Sequence, residues 1–521
     1  MKKRTIILSI LLLFALPITS CDMSFALGSV SFDYGSGSSL KITDESSNAN
    51  NDTSTSSSSS ITSTSLLPSN YVSFDVFAFN DMHGNVKDTY GEGLGISKTS
   101  SAIKELSEGK NAVLLSQGDM WQGSVESNYT KGHLVTEWMN YLGFESMTVG
   151  NHEYDWGSGV IQENRELADF PILGINVLNR SNNQRVSYLD ASATFTRGDA
   201  KIGVIGAIGN CLSSISSSKV QDVYFAKGDA LSNLVKAEST RLRNEEHCDF
   251  IIYSIHGSGT RDEDDSYDLS LSSQHYVDLV LEGHTHDAYA EPDSAGVYHV
   301  QCEGNNENIY QITVNVDVNN HIYDVEEPTY IDLSYSYSPY QSYPLDSEVE
   351  KIFDKYYDDY AFAYETIGYN RQNRNSTTLR RKVADLYLEE GLKKWSSRYN
   401  IVLGGGYISC RGTYNLPAGN VTYSQLAALF PFDNEIVLCS TSGYYFENSN
   451  FIQGNSNYYL SWTSYGEGIK DSIDTNATYY LITDTYSSDY SYNHLTVVDT
   501  YQSGVYARDL LADYIRAGNW A

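Results

Sequence analysis

Five apolar runs between Val72 and Leu333 constrain this chain most strongly, because each of them ends in a residue that can bind a metal ion. The runs read VSFDVFAFND, NAVLLSQGD, ESMTVGNH, DFIIYSIH and VDLVLEGHTH, and helix-like segments separate them. Strands that alternate with helices indicate an α/β sheet. Ligands of such sheets gather beyond the carboxyl ends of the strands, so five such ends predict one shared site.

The residues at these strand ends are carboxylates, imidazoles and one amide: Asp81, His83, Asp119, Asn151, His256, His284 and His286. Mixed carboxylate and imidazole ligands suit Zn, Mn, Fe or a similar divalent ion. Seven candidates are too many for one tetrahedral site. The pattern therefore predicts two divalent metal ions that share a bridging carboxylate, which is the arrangement used in phosphate ester hydrolysis.

Local spacing supports this site. Asp81 and His83 are separated by one residue, as are His284 and His286, so on an extended backbone each pair points to one side. Glycines stand beside several of the candidates, where they permit tight turns and a close approach of the backbone. In the stretch VGNHEYDWG, a turn explains the glycines and the asparagine, but it does not explain His152 and Asp155.

The motifs NDMHG, GDMWQGS, GNHEYDWG, IHGSG and GHTH resemble, in this order, the five blocks of the calcineurin-like metallophosphoesterases. The fuller resemblance is to the 5′-nucleotidase family within that group, strongly from Val72 to Leu333 and moderately from Arg380 to Gly443. It implies an α/β protein: a four-layer α/β/β/α metallophosphoesterase sandwich followed by a smaller α/β C-terminal domain that binds the nucleoside.

The resemblance also implies roles for the site residues. Asp81, His83 and His286 would hold the first metal ion, and Asn151, His256 and His284 would hold the second, with Asp119 as the bridge. His152 would face the phosphate, stabilise charge in the transition state and assist the leaving oxygen, and Asp155 would orient its imidazole. His286 stands where members of the family commonly carry Gln or Asn.

The stretch GGGYISCRGTYNLPAGNVTYSQLAALFPFDNEI resembles the C-terminal signature of the family, in which an arginine contacts the substrate and an aromatic ring stacks on the base. The resemblance implies these roles for Arg411 and Phe432, although Leu403 replaces an expected asparagine. In TDTYSSDYSYN, Tyr486 or Tyr490 could supply a second stacking ring. In a chain with 43 tyrosines, both could equally be core or surface residues.

Composition divides the rest of the chain into segments. A basic start and an apolar run before ITSC indicate a bacterial lipoprotein signal peptide with lipidation at Cys21. We predict five segments: the signal peptide at 1–21, a Ser-rich flexible tether at 22–70, the metallophosphoesterase domain at 71–335, a linker helix at 336–365 and the C-terminal nucleotide-binding domain at 366–521. Five further cysteines allow at most two disulfides within the chain.

The formal net charge of −32 argues against a nucleic-acid polymer as the partner, because phosphate backbones require basic surfaces. The predicted protein is an exported, cell-surface lipoprotein that contacts the membrane only through its N-terminal lipid. We expect it to hydrolyse nucleotides to nucleoside and phosphate as a 5′-nucleotidase. The alternatives on the same metal site are a 2′,3′-cyclic nucleotide phosphodiesterase and a nucleotide-diphosphosugar hydrolase. A binding lipoprotein without catalysis is the alternative of another class.

Overall fold

Three β-sheets carry the fold. The computed structural model describes them within residues 71–88, 92–257, 275–410, 415–490 and 493–520. Leu66–Ala521 pack as one compact unit, and the other unit, Met1–Ser65, lies outside the described residues. The predicted signal peptide, Cys21 and the tether fall within residues 1–70 and stay sequence predictions. Among the helices that the structure describes, none is long and apolar enough to cross a bilayer.

Fifteen strands precede residue 333. They are β1 (Tyr71–Phe79), β2 (Ala112–Ser116), β3 (Phe144–Thr148), β4 (Ile172–Leu173), β5 (Val177–Asn179), β6 (Ser192–Arg197), β7 (Ala200–Ile208), β8 (Val223–Phe225), β9 (Phe250–His256), β10 (Leu279–Glu282), β11 (Tyr289–Pro292), β12 (Tyr298–Gln301), β13 (Asn308–Asp317), β14 (Ile322–Val325) and β15 (Thr329–Asp332). Thirteen of these strands build the first two sheets, and β5 and β8 pair with each other in a separate two-stranded sheet. The five apolar runs of the sequence correspond to β1, β2, β3, β9 and β10.

The first sheet has the strand order β14-β13-β1-β2-β3-β4, and β15 also pairs with β13. Strands β1 to β4 run parallel, whereas β13 is antiparallel to β1. The second sheet has the order β11-β12-β10-β9-β7-β6, in which β7, β9, β10 and β12 run parallel. In each sheet the motifs that follow the parallel strands therefore lie at one edge.

The two sheets pack face to face around a buried apolar layer. This layer contains Val76 and Val113 from the first sheet and Ile202, Ile252 and Leu281 from the second, all without exposed surface. Successive side chains of a strand point to opposite faces, so each sheet offers its other apolar face to a layer of helices. The alternation explains why these strands are apolar on both faces.

Helices cover both outer faces. Phe77 of β1 packs in one cluster with Ile103 and Trp138, and Ile251 of β9 packs in another with Val235. These helices are α1 (Gly95–Leu106), α2 (Val125–Tyr129), α3 (His133–Leu142), α4 (Ser158–Leu167) and α5 (Asp229–Asn244). The resulting order of layers is α/β/β/α, which confirms the predicted sandwich.

The C-terminal part has a smaller five-stranded sheet of the order β22-β18-β23-β21-β24. The strands of the C-terminal part are β16 (Thr366–Asn370), β17 (Arg374–Asn375), β18 (Ile401–Gly406), β19 (Asn415–Leu416), β20 (Gly419–Thr422), β21 (Ile436–Ser442), β22 (Tyr459–Trp462), β23 (Thr478–Asp484) and β24 (Thr496–Thr500). Outside the five-stranded sheet, β16 pairs with β20 and β17 pairs with β19. The remaining helices are α6 (Ser347–Tyr360), α7 (Ser376–Trp395), α8 (Tyr423–Leu429), α9 (Gly443–Glu447), α10 (Ser464–Ile469), α11 (Thr485–Asp489) and α12 (Ala507–Arg516).

Helix α6, Ser347–Tyr360, lies within the predicted linker of residues 336–365 and is attached to the helices of the first part. Asp346 caps its first turn by accepting a hydrogen bond from the backbone of Glu348 at 3.0 Å. The same carboxylate pairs with Lys104 Nζ at 2.7 Å and accepts from the hydroxyl of Tyr141 at 2.9 Å. Lys87 Nζ lies 4.9 Å from the ring centre of Phe353, within the range of a cation–π contact.

The five described cysteines are free thiols: Cys211, Cys248, Cys302, Cys410 and Cys439. All except Cys410 are buried. The sequence allows up to two disulfides, and the structure forms none among these residues. Apolar packing therefore holds the described part of the chain together.

Candidate metal centre

The carboxyl ends of β1, β2, β3, β9 and β10 converge on one group of polar side chains. Asp81 and His83 follow β1, Asp119 follows β2, Asn151 follows β3, His256 ends β9, and His284 and His286 follow β10. Three overlapping sets of these residues place their ligand atoms within 4.8 Å of one another. The structure thus brings together all seven residues that the sequence placed at strand ends.

The first set consists of Asp81, His83 and His286. The Nε2 atoms of His83 and His286 are 3.0 Å apart. Oδ1 of Asp81 lies 3.3 Å from Nε2 of His286 and 3.8 Å from Nε2 of His83. Three potential donor atoms therefore surround one point, as the ligands of a metal ion do.

The second set consists of Asp119, His256 and His284. Oδ2 of Asp119 lies 3.3 Å from Nε2 of His256, and that nitrogen lies 3.0 Å from Oδ1 of Asn151. Asp119 also belongs to a set with His83 and His152, and its Oδ2 is 4.0 Å from Nε2 of His83. Asp119 thus lies between the two sets, at the place where a bridging carboxylate belongs.

The backbone around these residues is strained. Asp81, His83, Asp119, His284 and His286 all have left-handed backbone angles, with φ between 50° and 80°. Side chains other than glycine rarely adopt this conformation, and each instance costs about 1–3 kcal/mol. Five instances in one cluster indicate that the surrounding structure holds the side chains in a functional arrangement.

The chemistry of this cluster fits a divalent cation. Oδ1 of Asp81 is buried, and it lies 3.3 Å from Nε2 of His286. Burial raises the pKa of Asp81, but the hydrogen bond and charge of His286 and the charge of His256 outweigh burial and hold it well below its usual range. Burial and the charge of His256 lower the pKa of His284 to about 4. An ionised carboxylate and a neutral imidazole are the forms that bind metals.

His152 and Asp155 lie beside the cluster on one short turn. Nδ1 of His152 is 2.9 Å from Oδ2 of Asp155, and the backbone N–H of His152 donates to Oδ1 of Asp119 at 2.8 Å. Burial lowers the pKa of His152, but the charges of Asp155 and Asp119 outweigh burial and raise this pKa to about 9. This arrangement provides a cationic imidazole next to the metal-binding side chains, as the sequence predicted.

Glu153, in the same motif, has a role that sequence reasoning missed. Its carboxylate is fully buried and accepts four backbone hydrogen bonds. The donors are the N–H groups of Asp119 at 2.9 Å, Met120 at 2.9 Å, Trp121 at 3.3 Å and Gly150 at 2.7 Å. Glu153 therefore fixes the loop that carries Asp119 against the loop that carries Asn151. Its position between His152 and Tyr154 was the available signal.

Gly150 explains why the motif needs a glycine at this position. A Cβ atom at residue 150 would lie 2.2 Å from Oδ1 of Asp119 and 2.6 Å from the backbone N of Asp119. No side chain fits into that space. The loops after β2 and β3 can therefore approach each other only because residue 150 lacks a side chain.

A cavity of about 520 Å³ joins the metal-binding side chains to aromatic rings of the C-terminal part. Phe432, Tyr407 and Tyr486 line it together with His83, Asp119, Asn151, His152, His284 and His286. The ring centre of Phe432 is 5.5 Å from that of His152, and those of Tyr407 and Tyr486 are 5.7 Å apart. Tyr407 was missed, although it lies in the quoted glycine-rich segment.

Neither of two predicted substrate contacts, Tyr490 and Arg411, is among the described residues that line this cavity. Tyr490 is absent from the lining of this cavity and is 46% exposed. Helix α11 ends at Asp489, and Tyr490 then adopts an extended backbone conformation. The second stacking ring is therefore expected at Tyr486 and not at Tyr490. Arg411 lies outside the described residues.

Known relatives share long stretches of this chain. An apyrase of Tabanus yao is 25% identical over 388 residues, which cover 70% of this chain and 68% of the apyrase. The protein UshA of Escherichia coli is 34% identical over 183 residues, which cover 34% of this chain and 32% of UshA. The chain thus aligns with about a third of the length of UshA. No protein-family model matches the chain.

Solved structures agree with the described fold. The 5′-nucleotidase precursor of Thermus thermophilus superposes with a TM-score of 0.62 at 17% identity, covering 85% of this chain and 96% of that one. The relatives and these structures support the 5′-nucleotidase family of calcineurin-like phosphoesterases for this chain. The sulfate thiohydrolase SoxB of Thermus thermophilus has a similar fold, with a TM-score of 0.60 at 16% identity and coverage of 85% and 94%.

The segment that carries Phe432 is fixed by a buried arginine. Arg508 donates to the carbonyl oxygens of Phe432 at 3.0 Å and Phe430 at 3.2 Å, and it forms an ion pair with Asp433. From the first part of the chain, Gln122 Nε2 donates to the carbonyl oxygen of Pro431 at 3.1 Å. Phe432 is therefore held beside the metal-binding residues from both parts of the chain.

The charge along the cavity is uneven. Glu92 and Glu307 line it near His286, and burial together with the charge of Glu92 raises the pKa of Glu307 to about 6. Lys219 supplies the one ammonium group among the described lining residues. Its charge acts on Lys131, which pairs with Asp433 at 3.6 Å. Lys219 thus lies on the side of the cavity where Phe432 and His152 meet.

Proposed function

We propose that this protein is an exported, membrane-anchored phosphoesterase that hydrolyses 5′-nucleotides to a nucleoside and phosphate. One observation carries the proposal: the residues of the candidate metal centre and the rings of Phe432 and Tyr486 line the same cavity. A divalent metal centre binds and polarises phosphate, and aromatic rings stack on bases. The cavity therefore offers a site for each end of a nucleotide.

Two divalent ions, of zinc, manganese, iron or a similar metal, would be held by two sets of ligands. Bound there, they supply charge that neutralises phosphoryl oxygens and lowers the pKa of water. Asp119 bridges them in this proposal. The remaining ligands divide into one set of Asp81, His83 and His286 and a second set of Asn151, His256 and His284. The strained loops and the buried Oδ1 atom of Asp81 support this assignment.

His152 is proposed to act on the leaving group. Asp155 holds its Nδ1 atom, so Nε2 is the nitrogen that can give a proton to the departing nucleoside oxygen. The charges that raise its pKa favour the protonated imidazole, which also stabilises negative charge on the phosphate in the transition state. Asp155 is a positioning residue in this proposal, because it acts through His152.

The nucleoside is proposed to bind at the aromatic end of the cavity. Phe432 and Tyr486 would stack on the base, with Tyr407 beside Tyr486, and Arg411 remains a substrate contact proposed from the sequence alone. Lys219 would attract the anionic substrate, because an otherwise acidic lining repels phosphate. The proposed C-terminal nucleotide-binding domain, residues 366–521, supplies all three rings, and the proposed catalytic domain, residues 71–335, supplies Lys219.

The cellular location is proposed from the sequence. The signal peptide with Cys21 at its end supports lipidation and attachment to the outer face of the cell membrane, and the Ser-rich stretch supports a tether. A nucleotidase at that location would act on nucleotides outside the cell. Charged nucleotides cross membranes poorly, and dephosphorylation yields a neutral nucleoside that can be transported.

The test is phosphate release by residues 71–521, which lack the lipidation signal. AMP, ATP, 2′,3′-cyclic AMP and UDP-glucose are compared in Mn²⁺ or Zn²⁺, with EDTA and the His152→Ala variant as controls. We expect metal-dependent release from AMP that EDTA and His152→Ala abolish. Turnover of only the cyclic or diphospho substrates would contradict the 5′-nucleotidase assignment and retain the metal centre. An absence of turnover in folded, metal-loaded protein would favour the binding lipoprotein.

A further inference from the structure

Residues 301–305 contribute no predicted ligand, yet they hold two ligands of the first metal-binding set, Asp81 and His286. We propose that this segment, called here the β12 platform, is a positioning element that fixes Asp81 and His286 for one of the two metal ions. The inference rests on the proposed two-metal centre. It assigns a role to residues that are distant in sequence from Asp81 and that no motif identifies.

Gln301 is the first contact of the β12 platform. Its side chain is fully buried, and its Nε2 donates to Oγ1 of Thr285 at 2.6 Å and to the carbonyl oxygen of Asp287 at 2.7 Å. Thr285 precedes His286 and Asp287 follows it, so one amide group holds the chain on both sides of this ligand. The side chain of His286 is 41% exposed, and burial alone therefore does not fix its ring.

Gly304 is the second contact. A Cβ atom at this position would stand 2.6 Å from Nδ1 and 2.9 Å from Cγ of His286. The imidazole ring consequently rests against the backbone of Gly304 in space that a side chain would fill. Gly304 thus fixes the position of the His286 ring, while Gln301 fixes the backbone on either side of His286.

The other end of the β12 platform holds Asp81. The N–H of Asn305 donates to the carbonyl oxygen of Asp81 at 2.7 Å. Cys302 exchanges two hydrogen bonds with the side chain of Asn80, at 2.8 and 3.0 Å, and Nδ2 of Asn80 donates to Oδ2 of Asp81 at 2.8 Å. These bonds fix both the strained backbone of Asp81 and the direction of its carboxylate.

Two ligands of the second set and the bridge are oriented by other residues. Nδ1 of His256 lies 2.8 Å from the carbonyl oxygen of Gln117, and Glu153 holds the loops of Asp119 and Asn151. The third ligand, His284, precedes Thr285 and donates its N–H to Oδ2 of Asp81 at 2.8 Å. A change in the β12 platform should therefore weaken the first metal site more than the second. A general loss of stability would weaken both alike.

The test measures metal binding directly. Metal-free protein is titrated with Mn²⁺ by calorimetry, and the wild type is expected to bind two ions. In Thr285→Val, Gln301→Leu and Gly304→Ala we expect one of the two affinities to fall about 10–100-fold, the usual effect of removing an outer partner of a metal ligand. The other affinity should fall by less. Thr285 is exposed, so its variant changes the hydrogen bond without creating a buried cavity.

Gln311→Leu is the matched control. Nε2 of Gln311 donates to Oδ2 of Asp75 at 2.8 Å. Asp75 lies within β1, the strand that Asp81 follows, but away from the carboxyl end of that strand. This variant should therefore keep both affinities. Two unchanged affinities in all three platform variants would overturn the inference. An equal loss at both sites in these variants would also overturn it. A wild type that binds fewer than two Mn²⁺ ions would contradict the two-metal centre itself, and the platform with it.

Discussion

Nδ1 of His152 lies 2.9 Å from Oδ2 of Asp155, three residues further along one turn. A carboxylate at this distance fixes the orientation of the imidazole and places a proton on Nδ1 when the ring is neutral. Nε2 is then the nitrogen that can exchange a proton with a substrate. Neither residue belongs to the two proposed sets of metal ligands, so the pair can be tested without removing a ligand.

His152→Ala should lower kcat for AMP by about 10²–10⁴-fold, the usual contribution of a general acid. Asp155→Asn should lower kcat in the same direction but less, because the imidazole remains and only its orientation and charge change. The bound metal, measured by elemental analysis, should stay at the wild-type level in both variants. A fall in kcat that follows loss of metal would contradict the proposed roles and make these residues structural supports of the metal centre.

Phe432→Ala and Tyr486→Ala should each raise KM for AMP by about 5–100-fold, because stacking on one base contributes about 1–3 kcal/mol. The rate for p-nitrophenyl phosphate, which has no base, should change much less. Steady-state kinetics with the two substrates separates these effects. Tyr490→Ala is the matched control, since Tyr490 lies outside the cavity lining, and it should leave both substrates unaffected. An equal effect on both substrates would contradict base stacking.

Lys219→Gln should raise KM for AMP, and raise KM for ADP further, because ADP carries more negative charge into an acidic cavity. The value of kcat should stay within about twofold of the wild type if the interaction is equal in substrate and transition state. Lys236→Gln, on helix α5 and absent from the cavity lining, removes the same charge elsewhere and serves as the control. The same small effect from both variants would show that only the net charge of the protein matters.

The sequence predicted which side chains come together in the candidate metal centre, because that information is local. Each proposed ligand follows an apolar run within a few residues, and the carboxyl ends of parallel strands lie at the same edge of a sheet. The pairing of His152 with Asp155 is also local, since the two residues share one turn. For the same reason the four-layer sandwich could be predicted from the order of the motifs and the family they resemble.

Contacts between distant segments could not be predicted in this way. Gln301 and Gly304 reach His286 only because β12 lies beside β10, and Asn305 reaches Asp81 across more than 200 residues of chain. Tyr486 and Tyr490 are four residues apart, a spacing that would place them on one side of a continuous helix. Helix α11 ends between them, and Tyr486 lines the cavity whereas Tyr490 does not.

The raised pKa of Asp484 should make the stability of the C-terminal part depend on pH. It caps helix α11 by accepting from the N–H of Ser487 at 2.8 Å, and it is 2% exposed. Burial raises its pKa to about 6, from about 4 for an exposed aspartate. The folded state therefore binds this proton more tightly than the unfolded state, and its stability should fall as pH rises from about 4 to 6.

Asp484→Asn removes this dependence and retains a side-chain oxygen that can cap the helix. Near pH 4 the variant and the wild type should have similar free energies of unfolding. At pH 8 the variant should be more stable by up to about 3 kcal/mol, since one pKa unit corresponds to about 1.4 kcal/mol. Urea unfolding at both pH values measures the difference, with Asp513→Asn, at an exposed position, as the control. A variant that is less stable than the wild type at pH 8 would show that the charged form of Asp484 stabilises the fold.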